Sequence, residues 1–340
     1  MSKIALVSFR LGMADGVSIE AAKWRWALQE LGHEVTTVAG EGICDVTVRG
    51  LELTATSPPV PEELASALEG AECVVIENVC SLPLNEAAST AVASLLEGRA
   101  AVLHHHDLPW QRPQFRHHEG PPTDREWRHV TINERSCDEL ADRGITATVI
   151  PNHFDLDPPL GDRAAMREAI GVRAGAILVV HPVRAIPRKN VGGALRFAED
   201  MGAVYWLVGG AEDGFGPELD RLLGGARTGT RLGVPEGFAM ADVYAASDVV
   251  VLSSTWEGFG NAAIESVAFR RPLARRSYPV MAEIERRGLR FFDLEEVDEL
   301  LAFVARPDEA LLDANVAAAR EAYDLSLLPA RLESVLLGLL

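Results

Sequence analysis

Residues 248–277 read "DVVVLSSTWEGFGNAAIESVAFRRPLARRS". The stretch opens on a β-branched apolar block, turns through two glycines and continues at helical spacing over 262–270. It then returns to a short apolar block at "RPLARRS". A strand, a tight turn, a helix and a second strand within about thirty residues make a βαβ unit, and such a unit requires a parallel sheet. The same alternation runs along the rest of the chain. The first half carries the strand-like runs "KIALVSF", "EVTTVAG", "ECVVIEN", "AAVLHH" and "ATVIP". Between the first two, Val17, Ala21, Trp24, Leu28 and Leu31 recur at helical spacing and stop at Gly32. The second half adds "AILVVHP" and "AVYWLVGG", with helical segments over 190–200 and 279–287. Alternation of this kind predicts an α/β protein whose parallel sheets have helices on both faces.

A chain of 340 residues is long for one core. The Pro- and Asp-rich segment "PNHFDLDPPLGD" at 151–162 separates the two alternating runs. Two doubly wound domains are therefore expected, joined by that linker. Ligands of open α/β sheets bind beyond the carboxyl ends of the strands, so the site is expected in a cleft between the domains.

Composition narrows the partners. A formal charge of −18 disfavours nucleic acid and anionic lipid over most of the surface while leaving room for a local anion site. No apolar run is long enough to span a bilayer, and "MSKIALVSFRLG" reads as a first strand rather than a leader. Cys44, Cys73, Cys80 and Cys137 show no C-x-x-C pairing, as expected of reduced thiols in a cytoplasmic protein.

The unusual residues fall at strand ends. The first is the turn "FRLGMADGVSIE", which places Gly12 and Gly16 before a helix N-terminus. It is either an ordinary βα turn or an anion cradle, and it lacks the G-x-G-x-x-G dinucleotide fingerprint. Next, "VLHHHDLPW" closes a strand with His104, His105, His106 and Asp107. Consecutive strand residues alternate between faces, which argues against three histidines on one metal; hydrogen bonding to a substrate hydroxyl or a structural role remains. In "HPVRAIPRKN", Arg184, Arg188 and Lys189 form either a solvated loop or a diphosphate site, and clustered cations in so acidic a chain favour the latter. Lastly, Glu257 and Glu265 enclose a glycine-rich turn in "EGFGNAAIE", with Asn261 expected to cap a helix from Ala262. Two carboxylates around exposed backbone N–H groups suit sugar hydroxyls and a phosphate.

Taken together, these residues resemble a retaining glycosyltransferase of family 4, over essentially the whole chain. The resemblance rests on the E-x7-E block "EGFGNAAIE", the R-x4-K pair in "VRAIPRK", "ELGHEV" after the first helix and the strand-end "HD". It implies the GT-B fold, two facing Rossmann-like domains around a cleft. Residues 1–155 would form the acceptor-side domain and 156–323 the nucleotide-sugar domain. The last helix, within 324–340, would pack back on the first domain. It also implies roles. Glu257 would hold the donor sugar with Gly258, Phe259, Gly260 and Asn261, and Glu265 the nucleotide ribose. Arg184, Lys189 and the backbone at Gly16 would hold the diphosphate. His106 would lie beside donor sugar and acceptor, and is placed with Glu257 as catalytic. The first loop departs from the family, which often carries adjacent glycines where this chain has "ADGVS".

The expected activity is transfer of a sugar from a nucleotide diphosphate sugar to an acceptor hydroxyl, with retention, by a front-face route, without a metal or other cofactor. A nucleotide-sugar epimerase of the same fold and a non-catalytic sugar-nucleotide-binding protein are the alternatives. Trp110, Arg112 and Arg116 lie in a segment that is either an acceptor surface or a plain surface loop. Sugar, base, acceptor and oligomeric state are not legible.

Overall fold

In the computed structural model, which describes residues 1–13 and 15–340, residues 4–7, 74–76 and 101–103 are almost wholly buried. Covered on both faces, such strands can only be the interior of a helix-flanked parallel sheet. The strands are β1 (Lys3–Leu11), β2 (Glu34–Gly42), β3 (Val46–Thr47), β4 (Cys73–Glu77), β5 (Ala101–His105), β6 (Trp127–Thr131) and β7 (Ala147–Val149). They form one parallel sheet in the order β3-β2-β1-β4-β5-β6-β7. The chain winds outward from β1 and then crosses back to β4. The carboxyl ends of β1 and β4 therefore flank a switch point, where open α/β sheets bind ligands.

A second parallel sheet contains β8 (Leu178–His181), β9 (Val204–Leu207), β10 (Thr230–Leu232), β11 (Val249–Leu252), β12 (Leu273–Arg275) and β13 (Phe292–Asp293), ordered β10-β9-β8-β11-β12-β13. Here the switch point lies between β8 and β11. The opening stretch supplies β11, the helix Asn261–Ala268 and β12, with Val250 opposite Leu273 in parallel register.

The chain divides into two compact units, Met1–His153 with Leu325–Leu340, and Phe154–Asp324. The second unit's two ends lie side by side, because Phe154 N–H donates to the Tyr323 carbonyl at 2.8 Å and Phe154 bridges Asp324. The helix Leu328–Leu336 belongs to the first unit. Its Leu328, Leu332, Val335 and Leu336 join one core with Ile4, Leu6, Trp24 and Leu28.

Four strands carry no clear sequence signal. β3, β10 and β13 have only two or three residues, too few for a period to show. β6, "WRHVT", reads as polar, yet His129 is buried and only Arg128 is exposed.

Candidate active site

In the second unit the chain leaves β8 at His181 and reaches a 3₁₀ turn, Pro187–Lys189. Asn190 follows at φ 50°, a left-handed position that Asn tolerates, and its Oδ1 accepts from Gly193 N–H to start the helix Val191–Asp200. Ser253, just beyond β11, fastens this turn by donating its hydroxyl to the carbonyls of Lys189 and Asn190 at 2.9 Å each. Two strand-end loops are thus tied together, and the pair they present is Lys189 and Glu257.

Glu257 is buried, with both oxygens engaged. Lys189 Nζ lies 2.5 Å from Oε1, and Arg188 Nη1 lies 2.6 Å from Oε2. Burial pushes this carboxyl up, but Lys189 and Arg188 outweigh it and hold it at about 2. Glu257 is therefore ionised across the neutral range. Burial likewise pushes the Lys189 ammonium down, against the pull of Glu257. Arg188, one of the three clustered cations of the sequence but unassigned by the family motif, proves to be Glu257's second partner.

The glycine turn is fixed by shape. Gly260 adopts φ 103°, and a Cβ there would lie 2.3 Å from the Tyr278 hydroxyl oxygen. Any other residue is excluded by both backbone and space. One expectation changes here. The helix begins at Asn261 rather than Ala262, with Gly260 at the cap position and no side-chain cap, so Asn261 is its first residue and not its cap. The Phe259 ring is buried, 6.0 Å from Phe154 and 5.6 Å from Tyr323, so its side chain packs the unit. Gly258 lies in the same turn. Glu265, within the helix, accepts from the Tyr244 hydroxyl at 2.5 Å, and Tyr244 stacks on Phe269 at 4.7 Å. Arg184 takes a different carboxylate: it pairs with Glu212 at 2.6 Å, and both side chains are more than a third exposed.

The first unit holds the other candidates. Asp15 caps the helix Gly16–Glu30, accepting from Val17 N–H at 3.1 Å and Ser18 N–H at 3.2 Å. A carboxylate of the chain itself thus occupies donors that an anion would use, beside Gly16. Ala14 of "ADGVS" lies outside the described residues.

At the ends of β4 and β5, strand alternation separates the histidines. His105 turns toward His129 (2.9 Å) and Ser81 (2.6 Å). His104 and His106 share the opposite face with Glu77. The alternation that argued against three histidines on one metal therefore unites two of them with a carboxylate, and their three ligand atoms lie within 4.8 Å of one another. His104 Nδ1 lies 2.8 Å and His106 Nε2 lies 2.9 Å from the same oxygen, Glu77 Oε2. Those are hydrogen-bond lengths, with each ring donating to the carboxylate. Burial pushes Glu77 up, but His104 and His106 outweigh it and hold it at about 2.

Of the candidate acceptor residues, Trp110 donates its indole N–H to Glu139 at 2.7 Å and lies under Arg143, 3.6 Å from the ring centroid. Arg112 pairs with Asp107 at 2.8 Å, and Arg116 is exposed.

No protein-family model matches the chain. Mannosylglucosylglycerate synthase of Thermotoga maritima is 26% identical over 366 aligned positions, covering 86% of this chain and 84% of the relative. D-inositol 3-phosphate glycosyltransferase of Mycobacteroides abscessus is 33% identical over 139 residues, covering 38% of this chain and 31% of the relative. Among solved structures, Anabaena HepE in complex with UDP-glucose superposes with a TM-score of 0.74 at 17% identity, covering 99% of this chain and all of the other. The curated relatives are glycosyltransferases, and the fold, two parallel-sheet α/β units, is GT-B.

Proposed function

We propose that this glycosyltransferase of GT-B fold moves a sugar from a nucleotide diphosphate sugar to an acceptor hydroxyl with retention of configuration, without a metal. The observation that carries the reading is the Arg188–Glu257–Lys189 cluster at the switch point of the second sheet. Cations and a permanently ionised carboxylate within one hydrogen-bonded group suit a ligand that is anionic at one end and hydroxylated at the other. Arg184 and Lys189 neutralise the diphosphate, Glu265 takes ribose hydroxyls, and Glu257 takes sugar hydroxyls.

The chemistry asked of these residues is orientation and charge stabilisation. The bond from the anomeric carbon to the leaving phosphate breaks, and the acceptor oxygen bonds that carbon from the same face. The acceptor's proton passes to the departing diphosphate. Glu257 is poorly suited to attack, since both its oxygens already accept from cations. His106 hydrogen-bonds the donor sugar and positions the acceptor. The curated relatives carry no epimerase or sensor name, which gives those alternatives no support.

One relative is named as a synthase of mannosylglucosylglycerate, which supports an acceptor that bears an acid. An acid-bearing small glycoside is proposed here too, with Trp110, Arg112 and Arg116 as its surface. The test incubates the protein with a panel of nucleotide sugars and acidic acceptors, with and without EDTA. Acceptor-dependent release of nucleoside diphosphate, unchanged by EDTA, is expected. Product formed without acceptor would overturn transfer, and EDTA inhibition reversed by a divalent cation would overturn metal independence.

Lys189→Ala is expected to weaken donor binding by roughly 1.5–3 kcal/mol, about 10- to 150-fold, the worth of a charge-assisted hydrogen bond. Arg184→Ala should cost less, because that guanidinium is partly solvated and must leave Glu212. Isothermal titration with donor reads both, and unchanged affinity in both variants would put the diphosphate elsewhere.

A further inference from the structure

The buried Glu77 cluster is larger than a hydrogen-bonded histidine requires. Glu77 is 0% exposed at the end of β4, and one of its oxygens takes N–H donors from two rings. Asn78, next in sequence, holds φ 62°, donates its N–H to the His104 carbonyl at 3.0 Å and accepts the His106 N–H on Oδ1 at 3.1 Å. Ring and backbone of His106 are thus gripped by two consecutive residues. His104 is fixed from behind by Trp24, stacked at 4.0 Å. Of the three, Glu77 and His104 are sealed, and only His106 retains some side-chain exposure.

We propose that Glu77 is the positioning residue for His106, fixing its tautomer by accepting the Nε2–H hydrogen bond and leaving Nδ1 as the one ring atom able to meet substrate. The proposal rests on the transferase reading above. A carboxylate only accepts, so both rings must donate: His104 through Nδ1–H, His106 through Nε2–H. Burial pushes His104 down despite Glu77, so it donates as a neutral ring. In His106 burial is outweighed by Glu77, helped by Glu20 and Asp107, and its pKa is raised. Of the two rings, His106 is therefore the one that protonates first as the pH falls. Glu20 is itself buried and paired with Lys23 at 2.6 Å, and Asp107 is paired with Arg112. His105 and His129, on the other face, are pushed down by burial.

Two substitutions move His106 in opposite directions. Glu77→Gln removes the charge that favours the imidazolium, so the His106 pKa falls. His104→Phe keeps the Trp24 stack but removes the competing donor, leaving the carboxylate to His106, whose pKa rises. Long-range proton–nitrogen NMR on the whole protein reads both the titration and the tautomer. The expected results are an Nε2–H tautomer for the neutral His106 ring of the native chain, a lowered His106 pKa in Glu77→Gln and a raised one in His104→Phe. Glu77→Gln should also lower kcat at least tenfold while donor KM stays within twofold, since the diphosphate residues belong to the other unit. A purely structural role would not split kcat from KM or send the two titrations apart. His106 titrations that coincide with the native curve in both variants would overturn the proposal. So would submicromolar binding of zinc ions alone that His104→Phe abolishes, because that would make the cluster a metal site. The NMR measurement needs no substrate. Absence of turnover with every donor therefore counts against the transferase reading, whereas an unmoved His106 counts against Glu77.

Discussion

Truncation after Tyr323 is expected to abolish cooperative folding of the first unit. The loss removes Leu328, Leu332, Val335 and Leu336, each at most 7% exposed, from a core shared with Ile4, Leu6, Trp24 and Leu28. At about 1.5–3 kcal/mol for each buried aliphatic side chain, the four contribute roughly 6–12 kcal/mol. Whole domains are stable by only about 5–15 kcal/mol. The truncated chain would also expose the apolar face of the helix Gly16–Glu30 and should aggregate. Leu332→Ala gives the graded version, at roughly 2–5 kcal/mol. Differential scanning calorimetry decides: a truncated protein that stays soluble and keeps two full transitions would show that the helix is dispensable.

Glu257→Gln is expected to lower kcat/KM by roughly 10²-fold or more, the effect of losing charge-assisted hydrogen bonds worth about 1.5–3 kcal/mol each. The amide has the carboxylate's shape but not its charge, and it leaves the half-buried Arg188 and Lys189 without their anion. Azide should not rescue the variant with inverted product, because no covalent intermediate forms on this residue in the proposed route. His106→Ala should be similarly impaired. A glycosyl adduct on Glu257 seen by mass spectrometry would overturn the front-face route, and native activity in His106→Ala would remove that residue from the site. Because the carboxyl is held at about 2, Glu257 does not titrate near neutrality, and a pH limb there reports another group.

The βαβ rhythm was legible because it depends on local pattern. "DVVVLSS", the glycine turn and the helix after it each follow from residue type and spacing, and the structure places them at 249–252, 258–260 and 261–268. Strands of two or three residues were not legible, since their pairing is decided by neighbours far along the chain. The candidate site divides in the same way. Lys189 and Glu257 stood out as charges beside strand ends. Glu77, the last residue of β4, looked like an ordinary strand terminus. Its importance comes from parallel pairing with β5, which sets it beside His104, and no local pattern records that register. The Asn261 cap failed for a related reason: the turn needed the left-handed backbone that Gly260 provides, and Tyr278 left no room for a side chain.

The helix Leu328–Leu336 has a consequence for biosynthesis. A ribosome synthesises the seven strands of the first sheet and then the whole of Phe154–Asp324 before it makes this helix. The second unit, continuous in sequence, has all its parts as soon as it emerges. The first must wait with the apolar surface around Ile4, Leu6, Trp24 and Leu28 uncovered, although its strands were made earlier. A nascent chain therefore cannot close its first core until the later-made unit has been synthesised, and until then that core leaves an apolar surface open to a chaperone.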